Sequence, residues 1–353
     1  MVSAVPRRSA SLTVFTTCTI AILAACSDSA APPMASSDPS TIRASAAALP
    51  VVNAVVRVLP GLDGAHPRGI DEFDEVVGST AANVPFYWSP SVGLVLLAHP
   101  GFATGQAVSI NDHGAMSGTL GGRAAVVWMP LHTGQLRVWQ PPASQRCSAS
   151  VLTWGGELIG TCVATNGTVY GTIFNWQGAP TQTSGYKYDD LSGDGYLGGA
   201  QDDNGVLTAP IVVLPSGQVV VLHGVDGAIH KWAAVNAVAK GGYLAGYSTE
   251  AGCTQAVVWG LFTSGHATWP ERYLHVCGEA NGITSDGYVV GTSFSGWAFL
   301  WYEEPGPGLQ RLPGLGQAGE TSTAVAISLH HALGTITSNG VTHTVIWNLP
   351  NRS

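Results

Sequence analysis

Charge is scarce in this chain. Only 10% of its 353 residues are Asp, Glu, Lys or Arg, against roughly 25% in an average soluble domain, so ion pairs cannot be what shapes it. Basic residues are the scarcer sign: 14 Lys and Arg stand against 22 Asp and Glu, a net charge of −8. That balance offers no electrostatic footprint for a phosphate backbone and argues against a nucleic-acid partner. Catalytic signatures are missing as well. No G-x-S-x-G elbow, no H-E-x-x-H and no Cys/His pairing suggests a nucleophile or a metal site, although eleven His are scattered along the chain. What is plentiful is turn chemistry. The 45 Gly and 21 Pro follow no collagen-like triplet and suit many short strands joined by tight turns better than helices.

The N-terminus is an address. Arg7 and Arg8 precede an apolar run from Leu12 to Ala25, which is too short for a comfortable membrane-spanning helix. It ends in Leu23, Ala24, Ala25, Cys26, and small residues followed at once by Cys resemble the bacterial lipoprotein signal, whose thiol accepts diacylglycerol before cleavage. Residues 1–25 are therefore expected to be removed and Cys26 to carry lipid. Residues 26–49, rich in Ala, Ser and Pro, read as a flexible tether. An acylated Cys needs no spanning helix to hold the membrane.

The remainder, residues 50–353, is a repeat. Asn281 to Trp301 reads NGITSDGYVVGTSFSGWAFLW, an apolar strand, a small-polar turn ending in Gly, a second strand containing Gly291, and a third ending in Trp301. Using that strand glycine as a ruler gives Gly78, Gly118, Gly160, Gly199, Gly246, Gly291 and Gly334, spaced 39 to 47 residues apart. Four residues before each stand Asp74, Gly114, Gly156, Gly195, Gly242, Gly287 and His330, mostly glycine where a hairpin needs positive φ. The third strands end at Trp88, Trp128, Trp176, Leu214, Trp259, Trp301 and Trp347. Fourth strands follow at Val92–Leu97, Gln135–Trp139, Gln218–Leu222 and Leu309–Leu312. The last copy has none, because the chain stops soon after Trp347. Val55 to Leu59, followed by Pro60-Gly61-Leu62, matches Leu312-Pro313-Gly314-Leu315 at the end of the sixth copy, so this strand is expected to complete the seventh. The expected fold is all-β: a seven-bladed β-propeller of four-stranded antiparallel blades, with six or eight blades as the alternatives.

Setting aside Cys18 in the signal and Cys26, four cysteines remain in an exported domain, where disulfides are expected. Spacing alone allows three connectivities. Repeat position places Cys147 near Cys162 and Cys253 near Cys277, which favours those two bonds.

The third strands resemble the bacterial extracellular HAF-repeat family, named for His-Ala-Phe before an aliphatic residue and Trp. Ala298, Phe299, Leu300 and Trp301 keep the pattern with Trp297 in place of His, and His343 precedes Thr344, Val345, Ile346 and Trp347. Ile110 to Gly118 and Ile283 to Gly291 match the preceding element. The resemblance implies an exported bacterial repeat protein and brings no catalytic residues.

Other motifs have bland readings. Gly314, Gly316 and Gly319 spell GxGxxG but run into a strand instead of a helix, so no dinucleotide cofactor is expected. Asp71, Glu72, Asp74 and Glu75 could gather around Ca²⁺ but read as a solvated turn, as do Asp202, Asp203 and Asn204; no metal is expected. The rim should carry Arg123, Tyr186, Tyr188, Asp189, His230, Trp232, Tyr247, Tyr273 and Trp297, a mix suited to gripping a glycan or an envelope protein. The expectation is thus a monomeric binding or scaffold module without a cofactor, exported and lipid-anchored to a bacterial membrane at the periplasmic or cell-surface side. The alternative is an envelope polysaccharide lyase or hydrolase with its site on one propeller face.

Overall fold

A computed structural model describes residues 49–130, 134–153, 156–203, 205–223, 229, 232–250, 253–260, 271–302, 308–329 and 331–350. The expected signal peptide, Cys26, most of the tether and His230 lie outside these residues. The described residues contain strands, turns and loops and no helix.

The first strand, β1 (Val55–Val58), belongs to a sheet formed at the other end of the chain. Four sheets follow in sequence order, each antiparallel and four-stranded. The first is β2 (His66–Ile70), β3 (Val76–Ser79), β4 (Pro85–Ser89) and β5 (Gly93–Leu96). The second is β6 (Gly105–Ile110), β7 (Met116–Leu120), β8 (Ala124–Trp128) and β9 (Leu136–Trp139). The third is β10 (Gln145–Leu152), β11 (Leu158–Ala164), β12 (Val169–Phe174) and β13 (Thr181–Ser184). The fourth is β14 (Tyr186–Leu191), β15 (Leu197–Asp203), β16 (Val206–Val213) and β17 (Val219–Val221).

A seven-stranded sheet comes next, from β18 (Ala234–Ala239), β19 (Tyr243–Glu250) and β20 (Cys253–Trp259) through β21 (Glu271–Ile283) to β22 (Tyr288–Ser293), β23 (Trp297–Tyr302) and β24 (Gly308–Arg311). Its width comes from β21, which changes partner along its length. Up to Cys277 it pairs with β20, and from Gly278 it pairs with β22. The last sheet is β25 (Thr321–Ser328), β26 (His331–Ser338) and β27 (Val341–Asn348), with β1 on the outside of β27. Val56 lies opposite Trp347 and Val58 opposite Val345. The third copy differs from expectation at its end: its strand stops at Phe174, and Trp176 lies beyond, its indole N–H donating to the Gly156 carbonyl at 2.6 Å.

Turn chemistry closes the hairpins between first and second strands. A small polar side chain at the end of the first strand accepts the N–H four residues on, as Asp71 does from Glu75, Asn111 from Ala115, Thr153 from Glu157, Ser192 from Tyr196 and Thr284 from Tyr288. Beyond it, the turn residue adopts positive φ in every described copy, from +62° at Asp74 to +91° at Gly195. The acidic turn is more than a solvated loop. Asp71 is only 3% exposed, and Asp74 meets Arg57 of β1 at 2.6 Å and His331 of β26 at 2.8 Å. This tie joins the N-terminal strand, the first sheet and the last.

The ruler glycine has a steric reason. Opposite each, the first strand carries one extra residue: Arg68, Val108, Ser150, Asp189, Asn236, Asn281 and Val325. This β-bulge tips the carbonyl two residues before the extra one over the partner strand. A Cβ on Gly78, Gly118, Gly160, Gly199, Gly246, Gly291 or Gly334 would overlap the carbonyl oxygen of His66, Gln106, Ser148, Lys187, Ala234, Glu279 or Thr323 respectively.

Successive sheets pack face to face, β3 on β6, β7 on β10, β11 on β14, β15 on β18 and β22 on β25, and the packing returns to its start where β2 meets β25 and β26. Neighbouring residues of a strand serve opposite faces. Val289 joins the cluster with Val258 and Phe299, while Val290 joins the one with Ala324 and Trp347. Trp259, Trp347, Phe86 and Phe299 are fully buried in four such clusters, each contributing about 2–3 kcal/mol or more of apolar transfer. Cys147 is bonded to Cys162 directly across β10 and β11, and Cys253 to Cys277 at the point where β21 changes partner.

Gly291→Ala should lower stability by about 3 kcal/mol, since its Cβ would meet both the Glu279 carbonyl and the Phe299 ring. Chemical denaturation checks this, with the exposed Ser295→Ala expected within about 0.5 kcal/mol of the parent.

Candidate functional site

The seven bulges converge. The inner strands β2, β6, β10, β14, β18, β21 and β25 line one cavity of about 260 Å³. Its polar wall is Arg68, Ser109, Ser150, Asp189, Asp190, Asn236 and Asn281.

Three bulge side chains also staple one inner strand to the next. Ser150 Oγ donates to the Tyr188 carbonyl at 2.9 Å, Asn236 Nδ2 to Ala280 at 3.1 Å and Asn281 Nδ2 to Ala324 at 2.8 Å. In each case the acceptor is the carbonyl just before the next bulge. The amide nitrogens are thereby committed to the wall, so each Asn keeps its Oδ1 as an acceptor for another group.

Asp189 adds an ion pair, its Oδ1 lying 2.7 Å from Lys187 Nζ. Its Oδ2 is buried and has no hydrogen-bond partner. Burial disfavours the Lys187 ammonium, but the Asp189 carboxylate, aided by Tyr247 and Asp202, reverses this and holds the lysine above its usual value. Tyr247 of β19 and Glu279 of β21 feel the same lysine; burial pushes both up, against the pull of Lys187. Asp190 is pushed up to about 6 by burial, although its carboxylate accepts the Val238 N–H at 2.7 Å and the Leu191 N–H at 2.8 Å.

The group is therefore rich in donors and acceptors. Lys187 is driven away from its neutral amine and Tyr247 away from phenolate, the forms that would remove a proton from a substrate.

Of the residues expected on the rim, Asp189 and Tyr247 belong to this cluster. Arg123 is exposed and lies apart from it, in a second pocket between the second and third sheets. Tyr186 is half-buried and stacks on Tyr188 with ring centroids 6.4 Å apart. Tyr188 and Trp297 are core residues instead of rim residues, 6% and 4% exposed. The Tyr188 ring covers Gly171, where a Cβ would strike it, and Trp297 packs edge-on to Phe299. Tyr273 packs against the cluster of Leu244 and Trp259, while Trp232 is 53% exposed with φ +60°. The GxGxxG stretch is an intersheet loop, and its Leu315 and Gln317 N–H groups are already held by the Glu320 carboxylate.

Sequence reasoning missed Arg68, Lys187, Asp190, Asn236, Asn281 and Glu279. A signal existed: the bulge residue stands ten positions before the ruler glycine in six copies and nine before it in the last, as Asp189 to Gly199 and Val325 to Gly334 show.

No protein-family model matches the chain, and none of the curated proteins compared with it does. Solved structures match in fold. A streptogramin B lyase shares 11% identity and a TM-score of 0.51, over 84% of this chain and 98% of that one. Virginiamycin B lyase from Staphylococcus aureus gives 11% and 0.50, over 83% and 98%. An oligogalacturonate lyase in complex with manganese gives 10% and 0.51, over 85% and 97%. These are β-propeller proteins, and the chain is an all-β protein of propeller-like fold.

Burial of Asp190 fixes a pH dependence. Below about pH 4 the carboxyl is protonated in both folded and unfolded chains; from there to about pH 6 the unfolded chain ionises first, so the fold loses stability as pH rises. Asp190→Asn should remove on the order of 2 kcal/mol of that loss, measured as a flatter unfolding midpoint between pH 4 and about 7.

Proposed function

We propose that this chain is a lipid-anchored seven-bladed β-propeller of the bacterial envelope, of the HAF-repeat type, that binds a polar ligand at its central channel. The count of seven treats β21 as the outer strand of the fifth blade and the inner strand of the sixth, with β1 completing the seventh. Seven inner strands, each with its bulge, and seven intersheet clusters support that count. The two disulfides support an oxidising, exported setting.

The observation that carries a binding role is the polar channel wall, in which Asp189 pairs with Lys187, a lysine that Tyr247 and Glu279 also feel. Its donors and acceptors are arranged by neighbouring strands, and Lys187 and Tyr247 are both shifted toward their protonated forms. Such a site recognises hydroxyl and amide groups, which fits a glycan or a polar segment of an envelope protein.

A second reading is a polysaccharide lyase or hydrolase. It is favoured by the lyase neighbours and by Glu279, whose burial moves it toward the protonated form a general acid requires.

Cys26→Ser should move the exported protein from the membrane fraction to the soluble envelope fraction and abolish labelling by a radioactive fatty acid; an unlabelled parent protein would refute the anchor. Glycan-array and envelope pull-down ligands should bind the parent and bind Lys187→Met at least tenfold more weakly in calorimetry. Turnover of a polysaccharide panel, lost in Glu279→Gln, would instead establish the enzyme.

A further inference from the structure

A second cavity, sharing no residue with the channel, lies between the second and third sheets. It measures about 480 Å³, and its lining includes Arg123, Gln145, Arg146, Val163 and Thr165. That volume falls within the roughly 300–1,000 Å³ of small-molecule sites. Its lining holds two guanidinium groups and no carboxylate. In a chain of net charge −8 with only 14 basic residues, two arginines lining one cavity are a marked local reversal of sign.

Neither arginine forms an ion pair with a described residue. By contrast, Arg57 pairs with Asp74, and Arg137 stacks over Trp139 and Trp176 at 4.6 and 5.6 Å. Arg123 makes one long contact, 3.5 Å from Nη2 to the Pro142 carbonyl, and Arg146 is exposed.

The backbone beneath them is pinned. The Cys147 N–H donates to the Arg123 carbonyl at 2.8 Å, which ties the turn bearing one arginine to the strand bearing the other. Cys147 is itself bonded to Cys162, so Arg146 and its partner Val163 flank a cross-strand disulfide. Thr165 N–H donates to Ser144 at 2.8 Å and Gln145 N–H to Pro142 at 2.9 Å, closing the remaining wall. Gln145 Oε1 faces the Gln182 amide at 3.5 Å, which leaves its NH₂ as a donor. A rigid frame therefore presents two planar cations beside an amide and a hydroxyl.

We propose that this pocket binds the carboxylate of an acidic sugar, with the arginines forking the carboxylate and Gln145 and Thr165 meeting ring hydroxyls. Guanidinium suits a planar carboxylate because two parallel N–H donors match its two oxygens. A membrane surface is disfavoured as the partner. Two arginines are fewer than the 4–8 clustered basic residues that read as a lipid-headgroup patch, and these two face a concave pocket.

Calorimetry of the purified protein with a hexuronic acid tetramer tests the assignment, with the carboxyl-reduced neutral tetramer, inorganic phosphate and vesicles of anionic lipid as comparison arms. Binding of the acidic tetramer should weaken as salt rises, and the neutral tetramer should bind at least tenfold more weakly. Arg123→Gln combined with Arg146→Gln should lose at least tenfold in affinity with an unchanged unfolding midpoint, and the double Lys replacement should recover part of it. Equal binding of the neutral tetramer, full affinity in the double Gln variant, no binding of the acidic tetramer, or stronger capture by phosphate or vesicles would each overturn the proposal.

Discussion

One steric constraint, repeated around the molecule, underlies the rest: a bulge in each first strand faces a residue that cannot carry a Cβ. The bulge tips a backbone carbonyl over the second strand, and only hydrogen fits beneath it. The same extra residue breaks the alternation of side chains, so one residue per repeat is released from sheet pairing and joins the wall of the shared cavity. The glycine and the cavity are therefore two faces of one geometric event. Sequence variation at the bulge, from Arg68 to Val108 to Asp189, changes what the cavity presents without disturbing the frame that presents it.

The frame itself runs on apolar burial. Each strand pair contributes alternate residues to two neighbouring clusters, so no sheet can be removed without exposing faces on both sides. This explains why so little charge suffices. Where ionised groups do occur at a seam, they act as ties, and Asp74 is the clearest case: its positive φ at the turn aims the carboxylate at Arg57 of the N-terminal strand and His331 of the last sheet. The N-terminal strand β1 is thus held by a ladder with β27 and by a charged contact to the first sheet.

Much of this architecture was legible because its constraints are local. A tight turn demands positive φ, and the bulge demands glycine, so both leave fixed marks at fixed offsets. The cysteine pairs followed from repeat position in the same way. What escaped was whatever depends on side-chain parity across the bulge. Tyr188 and Trp297 read as rim residues from their place in the repeat, yet both turn inward and fill intersheet space, while Lys187 and Glu279 went unnoticed. The double role of β21 was equally hidden, because a strand that changes partner without a turn residue leaves no mark between Glu271 and Ile283.

The electrostatics of the cavity decide what kind of chemistry its wall supports. Lys187, which pairs with the wall residue Asp189 at 2.7 Å, is stabilised as the cation by that carboxylate. The same pairing compensates Asp189 at one oxygen and leaves the other, Oδ2, buried and unmatched. An unmatched buried acceptor carries a desolvation penalty of about 1–3 kcal/mol, which a donor from outside the protein would relieve. Asn236 and Asn281 add acceptors whose orientation is fixed by their own donation to the next strand. The wall is thus poised to accept hydrogen bonds, and relief of that penalty gives a hydroxyl-bearing ligand an advantage over water only if it brings several donors at once in the spacing that the bulges impose.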